Sequence, residues 1–503
     1  MYKQILGYIP SNIVPAIFSF ATIYAYTRML TPASFGDFNF VFSAVLLLQT
    51  SLYLALPVAI TRFHPGADLA GRGGAFLREA YSAFYGISVV VAVAGLAAGL
   101  LTNIAADYRA LAWLALPLLL CRSAVAMNQA VNRATNKMGR FNLVECAHAF
   151  LGLAVGLIFV FVVGPEAKSA VLGLLVAAIL CACIDIRVLA APFRRDFGVI
   201  DRTALTQLLA YAWPLVTVAI AAAVLQLSDR FMLGTLGSAE VLGIYAVAFS
   251  LVDRPTLLIC TSISTATFSI AVQELEHRGR DAGRIQAGKN GAVLLALALP
   301  ACIGLALTAP QIAAVMVGPQ FRTGVAALIP IMCFTALFRG VRGHFLDHAF
   351  HLAGRSDMML LSYAPAAAAD VVINLIVVPR YGMFGAAWTA LGCQGLALVT
   401  GWVIGRRVFP IWLPARQVFK ILAAIVPMAG ILGLIDFSRD WGGLLAAVGL
   451  GAAVYAASAV LLDVGGIRPM AWAWLLGRRI RRARPRLPAR SARWRLPVHP
   501  PRS

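Results

Sequence analysis

Charge is what this sequence has least of. Only 13% of its 503 residues are charged, whereas a soluble globular chain carries roughly 25%. That shortage excludes an ordinary soluble protein of this length. Signatures of several chemistries are missing too. No Walker-type phosphate loop, no Ser-His-Asp set and no paired-carboxylate site is present, so neither nucleotide-driven nor hydrolytic chemistry is expected. None of the eight cysteines forms a Cys-x-x-Cys pair, and all eight fall in apolar runs as small packing residues. His64, His148, His277, His348, His351 and His499 lack metal-ligand spacing. No metal and no cofactor is therefore expected.

Apolar length fills the space that charge leaves. A helix crossing a bilayer needs about 20 mainly apolar residues. Such segments run from end to end: 9–29, 39–61, 80–102, 110–131, 142–163, 169–191, 208–232, 241–271, 291–317, 324–349, 357–378, 383–405, 417–436 and 442–462. The expected fold class is an all-α polytopic membrane protein of about 14 helices. The first segment is long and contains prolines, with no small-residue cleavage site after it, so it reads as a retained helix.

Basic residues are distributed unevenly. The N-terminus, the even-numbered connections and the tail hold 30 Lys and Arg, against 5 in the odd-numbered connections. The positive-inside rule then puts both termini and the even-numbered connections in the cytoplasm. The tail, GRRIRRARPRLPARSARWRLPVHPPRS, reads as a disordered segment lying on anionic headgroups, not as a nucleic-acid binder.

The chain also reads as a repeat. NQAVNRATNKMGRF (128–141) parallels DHAFHLAGRSDMM (347–359), and FVVGPEAKSAVLGLLVAA parallels LIVVPRYGMFGAAWTA. Pro15 and Arg28 have counterparts in Pro214 and Arg230. Two six-helix lobes in parallel pseudo-twofold repeat follow, 1–195 and 196–410, with two further helices in 411–467 and the basic tail in 468–503.

Seven arginines and no lysine lie inside the apolar segments: Arg28, Arg122, Arg187, Arg230, Arg254, Arg339 and Arg342. Arginine grips phosphate with a planar fork and keeps its proton when buried. Asp253-Arg254-Pro255 sits mid-segment, where a charge costs about 2.5–3.5 kcal/mol unless it faces water or a partner. Arg122, Arg254, Arg339 and Arg342 are accordingly expected in a cationic cavity for an anionic, phosphate-bearing passenger. Asp253, Asp347 and Asp370 either balance these arginines or titrate with transport. Arg28, Arg187 and Arg230 are near enough to segment ends to snorkel, and Asp229-Arg230 reads equally as a helix end.

Three stretches carry a resemblance: TRMLTPASFGDFNF (27–40), LSDRFMLGTLGSAEVLGIYAVAFSL (227–251) and VVPRYGMFGAAWTAL (377–391). In this order they resemble bacterial polysaccharide-biosynthesis flippases, whose clan includes multidrug exporters and the lipid II flippase. The resemblance implies a V-shaped, two-lobed fold with alternating access. It implies a substrate of oligosaccharide on polyprenyl pyrophosphate, a repeat unit for O-antigen or exopolysaccharide, moved to the outer leaflet without catalysis. It places Arg28 and Arg254 on the pyrophosphate, and implies cooperation with a polysaccharide polymerase and a chain-length regulator. Arg62 departs from the family pattern by falling at a cytoplasmic end. Two rivals are a multidrug or small-molecule exporter, which would favour an acidic cavity, and a membrane-embedded glycan polymerase or ligase, which would need large external loops.

Overall fold

A computed structural model describes residues 9–101, 106–189, 202–466 and 468. The expected lobe boundary at 195/196 and the tail beyond 468 lie outside the described residues. Within them the chain is helical throughout. The helices are α1 (Ile9–Met29), α2 (Pro32–Tyr53), α3 (Ala55–Leu69), α4 (Gly73–Leu101), α5 (Ala106–Ala134), α6 (Met138–Val162), α7 (Ala167–Ile184) and the short α8 (Ile186–Leu189). They continue as α9 (Arg202–Leu236), α10 (Ala239–Arg278), α11 (Arg280–Leu307), α12 (Ala309–Met316), α13 (Arg322–Val341), α14 (Asp347–Leu352), α15 (Leu360–Val408), α16 (Ala415–Leu434) and α17 (Trp441–Leu461). A π turn, Arg342–Leu346, joins α13 to α14.

Twelve spans among the described residues are long and apolar enough to cross a membrane, making this a multi-pass membrane protein. The expected fourteen is not reached on that criterion, for two reasons. The first segment, α1, is diluted by Pro10, Ser11, Asn12 and Pro15 and is not among the twelve. Segments 357–378 and 383–405 fuse into the 49-residue α15. At 1.5 Å per residue that is roughly twice a bilayer core. The chain turns within it at Gly382, whose φ of 52° and ψ of −134° suit a residue without a Cβ. Two other segments divide: 39–61 breaks at Leu54 between α2 and α3, and 291–317 breaks at Thr308, where Pro310 opens α12.

Local sequence sets the helix ends. Thr31 caps α2, its hydroxyl accepting from the Ser34 N–H at 3.2 Å, with Pro32 in the first turn. Ser238 caps α10 in the same way through Val241. Gly279 ends α10 with a positive φ of 85°. Pro255 does not end α10, which stays helical for 40 residues.

Helices α1, α5, α6 and α7 pack on one another, as do α9, α10, α11, α13 and α15. The two groups meet where α2 lies against α9 and α10. The α16–α17 pair leans on α11. At the arginine-poor end of the bundle, α2 and α10 touch backbone to backbone. A Cβ on Gly36 would overlap the Ala239 carbonyl oxygen, and one on Gly243 would overlap the Pro32 oxygen. Small residues at such a crossing let helices approach closely.

This seam yields a first prediction. Gly243→Val should wedge the seam open, since overpacking costs ~1–3 kcal/mol, about 5- to 150-fold in the equilibrium between a touching and a parted seam. Spin labels on cysteines replacing Ala33 and Glu240, in a background lacking the native cysteines, should then sit farther apart than without the wedge. An unchanged distance distribution would count against a closure made at these glycines.

Candidate functional site

Arginines reach the middle of the bundle from four helices, α5, α9, α10 and α13. Arg254 projects from α10, 15 residues after Ala239, about 22 Å along the helix. Its neighbour Asp253 faces another way, as the ~100° step between adjacent helical residues requires. Asp253 is buried and forms an ion pair with Arg339 of α13, while Arg254 is exposed. Arg230 of α9 is 6% exposed. It donates to the Ser43 hydroxyl of α2 at 3.3 Å, and its guanidinium lies 4.6 Å from the Phe249 ring centroid. Arg339 flanks the same ring at 5.3 Å. Arg122 of α5 lies 5.0 Å from the ring of Phe42 on α2. The charge of Arg254 is close enough to act on both Arg122 and Arg230.

Pairing separates these four. Arg339 has Asp253, and Arg230 has a hydroxyl and a ring. Arg122 and Arg254 make no hydrogen bond or ion pair among the described residues; the Nε of Arg122 is buried without a partner. Two arginines with open donors, beside a third, form a cationic point reached from both helical groups. Guanidinium groups with open donors are the side chains that bind multiply charged oxyanions best.

Acids cluster next to it. Asp229 accepts from the Tyr245 hydroxyl at 2.6 Å and from the Asn374 amide at 2.8 Å. Asp370 accepts from the Ser228 hydroxyl, and its charge acts on Asp229. Neither carboxyl makes an ion pair among the described residues. Both are buried.

The remaining predicted residues lie elsewhere. Arg342, at 3% exposure, stacks 3.8 Å from the Tyr363 ring, and the Tyr363 hydroxyl donates to Asp347 at 2.6 Å. The π turn begins at Arg342, whose charge acts on Arg339, so this group adjoins the paired arginine rather than Arg122 or Arg254. Arg28 is not with the central arginines either. Its guanidinium donates to the carbonyls of Val315 at 2.8 Å and Met316 at 3.2 Å, the end of α12, and stacks 3.6 Å over Tyr24. The adjacent Thr27 hydroxyl accepts from the Gly318 N–H at 3.0 Å. Arg28 thus holds α1 to α12 at the arginine-poor end, satisfying carbonyls that a helix C-terminus leaves open.

Sequence reasoning did not select Asp229, Arg230, Tyr245 or Asn374. The segment 208–232 put Asp229-Arg230 at its edge, but α9 runs on to Leu236 and holds both inside the bundle. A polar amide within VVINLIVV was the available signal for Asn374.

An apolar groove of about 330 Å³ runs between α11, α16 and α17, lined by Leu297, Gly304, Leu432, Gly451 and Tyr455. Pro255 also lines it, one residue from Arg254.

Over residues 1–273 the sequence matches the family described as Polysaccharide biosynthesis protein. No curated protein sequence matches it significantly. Among solved structures, the fold is similar to that of the lipid II flippase MurJ in an inward closed conformation, with a TM-score of 0.75 and 12% identity, covering 93% of this chain and 100% of that one. It is also similar to a multidrug resistance MATE family transporter of the MOP superfamily, inward-facing, with a TM-score of 0.59 and 16% identity over 79% of this chain and 97% of that one. A MOP superfamily transporter from Pyrococcus furiosus, whose binding pocket is described as having reverse polarity, gives 0.53 and 15% over 80% and 95%. At these identities the likeness is one of fold.

Proposed function

The chain belongs to the polysaccharide biosynthesis protein family, and from that premise we propose that it is a flippase for polyprenyl-pyrophosphate-linked oligosaccharides. It turns them from the cytoplasmic to the outer leaflet of the bacterial inner membrane, with both termini cytoplasmic. One observation carries the reading: Arg122 and Arg230, from the two helical groups, each leave a buried donor open, and both lie within electrostatic reach of Arg254. The pyrophosphate would dock there. The groove that Pro255 helps to line would take part of the polyprenyl chain, a match in polarity.

Transport then proceeds by alternating access of two lobes about the pyrophosphate. Helices α1–α7 form one lobe and α9–α15 the other. The α2–α10 seam and the Arg28 contact with α12 hold the arginine-poor side shut while substrate loads from the other side. A carrier of organic cations would have to bring its passenger against three arginines, which disfavours the exporter alternative.

Asp229 and Asp370 form the coupling site in this scheme. Two buried carboxyls this close repel each other, and Arg230 beside Asp229 offsets only part of that, so a proton or a monovalent cation shared between them would stabilise the pair. Asp370→Asn should therefore uncouple flipping from the proton or sodium gradient while leaving undecaprenyl pyrophosphate binding within about twofold of wild type. The same gradient dependence in variant and wild type would remove Asp370 from the coupling role.

Mass spectrometry of polyprenyl-linked glycans tests the function itself. Cells lacking the protein should accumulate a lipid-linked oligosaccharide that wild-type protein clears. Normal lipid-linked pools in the deletion strain would rule the substrate class out.

A further inference from the structure

A second cavity, of about 320 Å³, lies wholly within the first helical group, between α2, α3, α5 and α6. Its polar lining follows helical spacing. On α5, Arg122, Gln129 and Arg133 fall at i, i+7 and i+11, one face of the helix. Val125 and Ala126 between them are small and leave the space open. On α6, Glu145 and His148 fall at i and i+3; on α2, Gln49 and Thr50 face them across the cavity. The cavity runs from Arg122 at mid-bundle to the exposed Arg133 near the arginine-rich end, roughly 16 Å along α5.

The wall is held in place from behind. Gln129 donates to Glu145 Oε1 at 3.0 Å and to the Phe141 carbonyl at 3.1 Å. Asn132 donates to Gln129 Oε1 at 3.2 Å and to Asp185 at 2.9 Å, and Asp185 is ion-paired with Arg140. This chain fixes the Glu145 carboxylate, yet its second oxygen has no partner among the described residues. Arg122 Nε and His148 Nε2 also have none. A fixed carboxylate acceptor, with an imidazole and an amide beside it in a mainly apolar wall, suits a sugar ring, whose hydroxyls take the polar groups and whose C–H faces take the apolar ones. The volume is at the lower end of the ~300–1,000 Å³ typical of ligand pockets, enough for one or two sugar rings.

We propose that this cavity is a sugar subsite, taking the ring nearest the pyrophosphate, with Glu145 and Gln49 on its hydroxyls and Arg122 at the junction with the phosphate. The proposal rests on the lipid-linked glycan reading and adds where, and by which residues, the glycan is recognised.

Binding to the purified full-length protein in lipid nanodiscs tests it with three probes: undecaprenyl pyrophosphate, and the same lipid carrying one glucose or one N-acetylglucosamine. Wild type should bind at least one sugar-bearing lipid about tenfold more tightly than the bare one, the discrimination that polar groups left unpaired without the sugar would give. Gln49→Ala should erase that advantage and leave bare-lipid affinity unchanged; Glu145→Gln, nearly isosteric, should erase it too, while bare-lipid affinity holds or rises because a negative charge acting on Arg122 is gone. Arg254→Ala should weaken all three probes alike. The subsite is overturned if wild type shows no sugar advantage, or if both cavity variants keep it. If wild type binds none of the probes, the pyrophosphate reading fails with it. If Arg254→Ala alone has no effect, the pyrophosphate point is wrong and the sugar subsite stands.

Discussion

Replacing Arg254 by alanine is expected to reduce flipping by about 100-fold or more. A charge-assisted hydrogen bond contributes about 1.5–3 kcal/mol, and a guanidinium makes two to a bridging phosphate. Losing ~3 kcal/mol corresponds to a factor of about 100. Arg254 is exposed and bonded to nothing among the described residues, so its removal leaves no buried group unpaired. The folded protein should therefore be recovered at wild-type levels, which separates this loss from misfolding. Arg254→Lys keeps the charge but not the fork and should fall between the two. Flipping in proteoliposomes loaded with lipid-linked glycan is the measurement, and near-wild-type rates in Arg254→Ala would remove this residue from the pyrophosphate.

The Asp253–Arg339 pair should behave in the opposite way. Both side chains are largely buried, with 10% and 17% of their side-chain surfaces exposed. Asp253→Ala strands a guanidinium between α10 and α13, and breaking a buried pair from one side costs about 3–5 kcal/mol. Removing both partners leaves no unpaired charge, so the double variant Asp253→Ala, Arg339→Ala should be more stable than either single one. Thermal unfolding of the purified protein would show it. Additive losses would mean that the two side chains do not stabilise each other.

How much of this was visible in the sequence depended on what each feature needs. A bilayer demands about 20 apolar residues in succession, so the helices α4 to α7, α16 and α17 were legible from the run of residues alone. Breaks within runs were not. The break at Leu54 has a local cause in Pro57, which has no N–H for the Tyr53 carbonyl, but Pro117 and Pro255 sit inside unbroken helices, so a proline alone did not mark it. The division of Asp253 from Arg254 was legible, since adjacent helical residues cannot face the same way. The destination of Arg28 was not. Its partners, the carbonyls of Val315 and Met316, lie nearly 290 positions away, and no local pattern encodes so distant a contact. Asp229 and Arg230 were misjudged for a related reason: hydropathy falls at charges, so a charged pair inside a helix looks like its edge. The lining of the α2–α5–α6 cavity was hidden because Glu145 and His148 meet Gln49 only once three helices are packed.

The open donors of Arg122 and Arg254 have a consequence for the voltage across the membrane. In a carrier that opens to one side at a time, the electrical drop falls across whichever side is closed. A fixed charge at the bottom of the passage therefore moves through the field although it hardly moves in space. Each elementary charge so displaced is worth about 2.3 kcal/mol per 100 mV. An empty carrier of this kind is cationic at its centre, and a negative interior draws it to the inward-open state. With a pyrophosphate seated, the same centre is near neutral and largely indifferent to the potential. The step driven by voltage is then the return of the empty protein, and the passenger crosses in the step that the field leaves alone.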